Sequence, residues 1–187
     1  MGFLNCLHRN KPNSGPAHLT FHGPDSKDRI TATNTSNTEV ARFTITKTSL
    51  FRLNPSPQPL CTYKRSWLSG TTTLHNFHGR KVSIKQSWEG MQYGKDVKTP
   101  WGTWKWRPGN GGCEVLRDGK TVLARGKLPG RRRPGCLEVF VNGDAYVVDL
   151  ILASWAGMVK DRGDGVGAAA EVIGAVGGAV GAVAAGA

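Results

Sequence analysis

The sequence predicts a mainly β (α+β) fold in which short antiparallel strands enclose one C-terminal hydrophobic helix. From Ala145 to Val159 only Asp149 and Ser154 are clearly polar, so this helix has no face suited to water and must be surrounded by protein or lipid. At about 1.5 Å per residue it spans roughly 22 Å, less than the ~30 Å hydrocarbon layer, which favours protein. The residues before it are short alternating segments separated by turn formers, so the surrounding layer is predicted to be β.

The predicted strands follow one another along most of the chain. Glu39 to Lys47 alternates most clearly, with Ala41, Phe43 and Ile45 on one face. Three prolines in alternation at 55–59 predict an exposed loop, because proline cannot donate a ladder hydrogen bond. The predicted strands are His18 to Phe21, Arg29 to Thr33, Glu39 to Lys47, Leu50 to Leu53, Leu60 to Arg65, Thr71 to Phe77, Arg80 to Trp88, Trp101 to Arg107, Cys113 to Leu116, Thr121 to Lys127 and a short strand from Leu137.

Two hairpins are predicted from their turns. His78-Gly79 places a glycine, which tolerates positive φ, between two strand candidates. Asp118-Gly119 is the strongest turn signal of the chain and is typical of a type I′ turn.

The predicted helix has a signal at each end. Asp144 is a suitable N-cap, because its carboxylate can accept an otherwise unpaired amide N–H. Lys160 and Arg162 lie near the negative end of the helix dipole, and Gly163 follows as a stop.

Trp101, Trp104 and Trp106 lie in one predicted strand beside basic residues. They could stack nucleic-acid bases, but Trp104 and Trp106 share one strand face, which favours packing in the core.

Length and composition predict one domain with two appendages. Residues 1–16 consist of turn formers and polar groups and are expected to be flexible, 17–162 form the folded domain, and 163–187 are almost only Gly, Ala and Val. For this tail we expect disorder; a weakly membrane-seeking or partner-binding helix and a true membrane span are the alternatives.

The charge balance predicts attraction to polyanions. Of 187 residues, 25 are Lys or Arg and 13 are Asp or Glu, a net charge of +12. Nucleic acid, an anionic membrane and an acidic protein all fit this charge, and a merely solvated basic face is the alternative to each.

The four cysteines, Cys6, Cys61, Cys113 and Cys136, are scattered and form no Cys-x-x-Cys pair. This spacing fits neither a disulfide framework nor a common zinc site, so we expect free and mostly buried thiols. The N-terminus lacks the pattern of a secretory signal, and an intracellular, cytoplasmic location is the expectation.

Three segments in order carry a family resemblance. They are Trp101-Gly102-Thr103-Trp104-Lys105-Trp106, then the hairpin from Cys113 to Arg125, then Leu137-Glu138-Val139 leading into the helix at 148–154. In this order they resemble fungal DUF6593-type domains of the tubby C-terminal-like superfamily, best over Leu74 to Arg162. The resemblance implies an antiparallel β-barrel threaded by one hydrophobic helix. In the wider superfamily, tubby proteins bind phosphoinositide head groups through basic residues on the barrel, and no active-site motif is shared across the members.

The densest basic cluster is the candidate anion- and lipid-binding site. It falls in and before a Pro- and Gly-bracketed loop that we expect to be exposed, and clustered bases bind phosphate and anionic membranes. An ordinary solvated loop is the alternative. The candidate residues are Arg125, Lys127, Arg131, Arg132 and Arg133.

Other chemistry has weaker support. Gly2 and Cys6 are candidates for myristate and palmitate, although Phe3 and Cys6 depart from the preferred pattern. Asp149 is expected to meet an Arg or Lys, to accept backbone N–H groups or to face a barrel mouth. His75 and His78 flank a turn without a third ligand, so we predict no metal site; no nucleophile elbow or P-loop occurs in the sequence.

These observations predict a non-enzymatic binding or scaffold module that associates with anionic phospholipid membranes. We expect a monomer without a cofactor, peripheral at a membrane. The alternative is a nucleic-acid-binding protein that uses its basic and tryptophan-rich surface.

Overall fold

The computed structural model describes residues 18–66, 68–130, 133–141 and 144–161. Within them, twelve antiparallel strands and one α-helix, α1 (residues 145–161), form the domain, and a short 3-10 helix, Asn110–Gly112, lies between the ninth and tenth strands. The strands are β1 (Leu19–His22), β2 (Arg29–Asn34), β3 (Glu39–Ile45), β4 (Ser49–Arg52), β5 (Gln58–Ser66), β6 (Thr71–Phe77), β7 (Arg80–Glu89), β8 (Gln92–Thr99), β9 (Gly102–Pro108), β10 (Glu114–Asp118), β11 (Thr121–Lys127) and β12 (Cys136–Val139).

The strands form a closed barrel in which each one pairs with the next along the chain. The seam is closed by β1, where Leu19 pairs with Asn34 of β2 and with Val139 of β12. Closure removes the exposed strand edges that would otherwise pair with other chains.

Helix α1 fills the barrel. Its residues from Leu150 to Ala156 are all fully buried, and they pack against the inward side chains of the strands. This confirms the predicted mainly β fold with one enclosed hydrophobic helix. The largest fully buried strand residues around it are Trp106, Phe21, Phe77, Ile30, Leu50, Leu74, Ile84, Leu116 and Leu137.

Asp149 and Ser154, the two polar residues in the apolar run of the helix, have partners on the barrel wall. Trp106 Nε1 donates to Ser154 Oγ at 3.0 Å, and that hydroxyl donates to the Ile151 carbonyl at 2.9 Å. Asp149 accepts from Arg52 Nη2 at 2.5 Å and lies 3.1 Å from His78 Nε2. The predicted pairing of Asp149 with a basic side chain is confirmed.

The predicted N-cap and one hairpin turn agree with the structure, whereas Arg162 and Gly163, predicted as signals at the other helix end, lie outside the described residues. Asp144 Oδ1 accepts the Val147 amide at 2.9 Å, as an N-cap does. His78 and Gly79 both have positive φ, 46° and 75°, which is typical of a type I′ turn.

The second hairpin forms with a different turn. Pairing continues to Asp118 and Thr121, so the turn residues are Gly119 and Lys120, and only Gly119 has a positive φ, 55°. The predicted type I′ turn at Asp118-Gly119 is therefore wrong, although the hairpin itself is confirmed.

Strand β8 was not predicted. Its two inward positions at mid-strand are Lys95 and Val97, and Gly94 and Asp96 face outward, so apolar alternation does not occur. Lys95 is 8% exposed, and its partner lies on the helix, far away in sequence.

Burial agrees with two further predictions. Trp104 and Trp106 are in the core at 4% and 0% exposure, and Cys61, Cys113 and Cys136 are buried thiols. Cys6 and the predicted segments 1–16 and 163–187 lie outside the described residues.

The antiparallel order gives the barrel two ends. The loops that follow β2, β4, β6, β8 and β10 surround the start of α1, and we call this end the helix-start mouth. The loops that follow β1, β3, β5, β7, β9 and β11 surround the end of α1, and we call this end the helix-end mouth.

Gly126 tests how tightly helix and wall fit. A Cβ at this position would lie 2.6 Å from Trp155 Cδ1, and Trp155 is fully buried. We expect Gly126→Ala to lower the free energy of unfolding by about 1–3 kcal/mol in urea denaturation, because the indole cannot move aside. Gly130→Ala, where a Cβ meets nothing within 4 Å, is the control and should change it by less than about 0.5 kcal/mol. Equal effects of the two would contradict the tight fit.

Candidate functional site at the helix-end mouth

A basic cavity of about 130 Å³ opens at the helix-end mouth. It is bounded by the last turn of α1 on one side and by β5, β6 and the β3–β4 loop on the other. The lining residues are Lys47, Tyr63, Arg65, Thr72, Gly157, Lys160 and Asp161.

Asp161 is the acidic residue of this cavity and is held by the wall. Lys95 forms an ion pair with Asp161 Oδ2, and Arg65 Nε lies 3.7 Å from Oδ1. Thr72 Oγ1 donates to the same carboxylate at 3.3 Å. Lys95 and Thr72 thus donate hydrogen bonds to this carboxylate, and Arg65 adds a longer ion pair.

Positive charges outnumber negative ones around this cavity. Among the described residues that line it or contact its acid, Lys47, Arg65, Lys95 and Lys160 carry four positive charges and Asp161 carries one negative charge, an excess of three. Lys47 and Arg65 are exposed, so their charge reaches solvent.

Lys160 is directed across the mouth by two contacts. Its Nζ donates to the Thr46 carbonyl at 3.2 Å and lies 5.5 Å from the centre of the Tyr63 ring. Tyr63 is fixed in turn, because its hydroxyl donates to the Ala153 carbonyl at 3.2 Å. Burial raises the pKa of Tyr63 well above its ordinary value, so it stays a neutral donor.

Large apolar side chains lie exposed at the same end. Trp88 is 71% and Met91 98% exposed at the tip of the β7–β8 hairpin, and Leu68 is 79% exposed in the β5–β6 loop. The rings of Trp88 and Tyr93 pack edge to face, 5.3 Å apart. Partial burial, and then the charge of Asp161, raises the pKa of Tyr93.

Charged side chains on the outer wall support that hairpin. Glu89 accepts from Lys105 Nζ at 3.1 Å and from Arg107 Nε at 3.3 Å, and Lys105 foremost lowers the pKa of Glu89. Arg107 also donates to Asp96 at 2.9 Å. The guanidinium lies close to Gly94, where a Cβ would come within 2.6 Å of Arg107 Nη1.

The structure separates the predicted basic cluster. Arg125 is only 5% exposed, and its guanidinium lies 5.8 Å from the centre of the Phe140 ring. The exposure expected for the basic cluster therefore does not hold for Arg125. Lys127 is half-buried, whereas Arg133 is exposed and pairs with Gly130 in the loop after β11, at the helix-end mouth. Arg131, Arg132, Gly2 and Cys6 lie outside the described residues.

The two histidines considered for metal have other surroundings. His78 contacts Asp149 at the helix-start mouth, and His75 lies on the outer wall of β6. In the part of the chain that the structure describes, no three His, Cys, Asp or Glu side chains are grouped so as to hold a metal ion.

Sequence reasoning missed the helix-end mouth. Lys47, Arg65 and Lys160 come from three separate segments of the sequence, and only barrel closure brings them together. The available signal was the pair Trp88 and Met91, two large apolar residues around Glu89-Gly90, a turn-like position that should be exposed.

The Lys95–Asp161 pair should carry a measurable coupling. Both side chains are about nine-tenths buried, so Lys95→Met should lower the free energy of unfolding by roughly 1–3 kcal/mol by leaving the carboxylate with fewer donors. Adding Asp161→Asn should recover part of that loss, a coupling of about 0.5–3 kcal/mol in a double-mutant cycle measured by chemical denaturation. Strict additivity would show that the pair contributes nothing.

Asp149 should give an unusual pH dependence. Burial raises the pKa of its carboxyl above 3.8, and Arg52 and His78 offset only part of this. The folded state therefore binds the proton more tightly than the unfolded state, and the contribution of Asp149 to stability falls as the pH rises from 3.8 through the folded pKa. The free energy of unfolding of wild type minus that of Asp149→Asn should fall over this range; a rise would contradict the assignment.

No family model, curated protein or solved structure matches the chain. The resemblance to fungal tubby-like domains therefore stays a prediction, and the geometry of the described residues is the basis for function.

Proposed function

We propose that this protein is a non-enzymatic binding module that associates with anionic phospholipid membranes through the helix-end mouth. The observation that carries the proposal is the placement of exposed cations and exposed large apolar side chains at one end of the barrel. Lys47 and Arg65 supply the charge, and Trp88, Met91 and Leu68 supply the apolar surface.

The two features suit the two layers of a membrane surface. Basic side chains near an anionic bilayer contribute about 1 kcal/mol each, and the effect fades within a Debye length, so they must lie at the contact. Tryptophan and tyrosine favour the headgroup level, where an apolar ring meets polar surroundings. A net charge of +12 adds attraction at longer range.

The basic loop after β11 belongs to the same end. Arg133 is exposed there, so the loop predicted as a lipid site and the cavity can face one membrane together. Under this proposal the protein is monomeric and cytoplasmic, and its membrane association is peripheral and needs no cofactor. Within the described residues, no helix has the length and apolar character that crossing a bilayer requires.

The alternative of nucleic-acid binding loses its main support. Trp104 and Trp106 lie inside the barrel and cannot stack on bases. Trp88 and Trp101 are exposed but lie at opposite ends, so they do not form one stacking surface with a shared basic groove.

Vesicle co-sedimentation tests the proposal with a matched pair of variants. Lys47→Gln should weaken binding to phosphatidylserine-containing vesicles about fivefold, because it removes about 1 kcal/mol at the contact. Lys120→Gln removes the same charge from the turn at the helix-start mouth and should have a much smaller effect.

Three outcomes would contradict the proposal. These are equal losses for the two variants, no binding to anionic vesicles at physiological salt, and tighter binding to single-stranded nucleic acid than to vesicles in the same salt titration. If vesicle binding survives replacement of Arg131, Arg132 and Arg133 by Gln, the basic loop is not part of the binding site, and the rest of the proposal is unaffected.

A further inference from the structure

We infer that the β7–β8 hairpin is an insertion element that places Trp88, Met91 and Tyr93 in the boundary between headgroups and acyl chains of the bilayer. This inference rests on the proposed function and deepens it. Charge alone would hold the barrel near the surface, whereas an inserted tip fixes its orientation and depth.

The tip exposes more apolar surface than the fold requires. Met91 is 98% and Trp88 71% exposed, and Leu68 on the neighbouring β5–β6 loop is 79% exposed. Contiguous exposed apolar side chains rimmed by polar residues mark sites of interaction with proteins or membranes.

The chemistry of the tip suits an interface. Trp88 and Tyr93 are opposite one another in the β7–β8 ladder and pack as an edge-to-face pair. Each has an apolar ring with one polar group that can remain hydrated, as at the aromatic belts of membrane proteins. Met91 at the end of the turn has no polar group and is the residue placed to go deepest.

The tip is preorganised. The ladder continues through Ser87 with Gly94 to Glu89 with Gln92, and Gly90 closes the turn at φ 60°. The bonds of Glu89, the last residue before the turn, to Lys105 and Arg107 hold the hairpin against β9. Little conformational freedom is then lost on insertion, so more of the burial free energy appears as affinity.

The surrounding charge favours a membrane over a second copy of the chain. Arg65 and Lys47 line the cavity at the same end of the barrel, and an anionic surface complements them. Another copy would bring the same cations and a net charge of +12 against them, which opposes self-association through this end.

Fluorescence quenching by brominated lipid measures insertion directly. The full chain is added to vesicles of phosphatidylcholine and phosphatidylserine whose acyl chains carry bromine, and tryptophan quenching is compared for wild type, Trp88→Phe and Trp101→Phe. Trp101, 56% exposed and stacked on Trp104 at the helix-start mouth, is the matched control. Trp88→Phe should remove a measurable share of the quenching, and Trp101→Phe should leave it unchanged.

A Met91 variant tests whether insertion of the hairpin contributes to the affinity for vesicles. Met91→Gln should lower the vesicle partition coefficient about tenfold, because burying a methionine side chain favours binding by an amount of this order. Val40→Gln changes another exposed apolar residue, 50% exposed near the helix-start mouth, and should leave partitioning unchanged. Thermal unfolding of each variant confirms that it is folded.

The outcomes distinguish insertion of the hairpin from the membrane binding on which it rests. Vesicle binding with equal quenching in wild type and Trp88→Phe, or with equal partitioning of Met91→Gln and wild type, would overturn insertion and leave charge-driven binding in place. Absence of any vesicle binding would overturn both. A third outcome would also overturn insertion: the wild type sediments as a dimer, Met91→Gln sediments as a monomer, and brominated lipid quenches neither. The tip would then be a site of self-association.

Discussion

The structure depends on one constraint: helix α1 has no face that water can solvate. Its central residues, Leu150 to Ala156, are fully buried, which a single sheet packed on one side could not achieve. A closed wall surrounds a helix completely, and the twelve strands supply it with sequential pairings alone. The polar groups on the helix are matched to the same wall, Ser154 by Trp106 and Asp149 by Arg52 and His78.

This constraint also limits where function can lie. The helix occupies the interior that a ligand-binding barrel would leave open, so the outer wall and the two ends remain. The ends differ in character. At the helix-start mouth Trp101 stacks on Trp104 and contacts Tyr146, which covers the first turns of the helix. At the helix-end mouth a cavity stays open among Lys47, Arg65 and Lys160, and apolar side chains project beyond it.

The fold was accessible from sequence because its signals are local. An apolar run with Asp144 before it predicts a capped, enclosed helix, and alternation predicts most of the strands. Strand β8 was missed because Lys95 takes an inward position whose partner, Asp161, is 66 residues away, so the strand carries no local apolar pattern. The candidate site was inaccessible for the same reason: its cations come from the β3–β4 loop, from β5 and from the helix end. Conversely, the basic cluster from Arg125 to Arg133 could be recognised in the sequence, but the burial of Arg125 beside Phe140 could not be predicted from it.

The central claim is that the helix is the structural core and that the barrel meets its partner at the helix-end mouth. Hydrogen exchange of the full chain, followed with and without phosphatidylserine-containing vesicles, tests both parts in one measurement. The account predicts that the amides of 150–156 exchange in the slowest class in both conditions, as expected of groups exposed only by global unfolding. It also predicts that vesicles add protection in the β3–β4 loop and at the tip of the β7–β8 hairpin. Fast exchange of the helix within a protected barrel, or vesicle protection confined to the helix-start mouth, would contradict it.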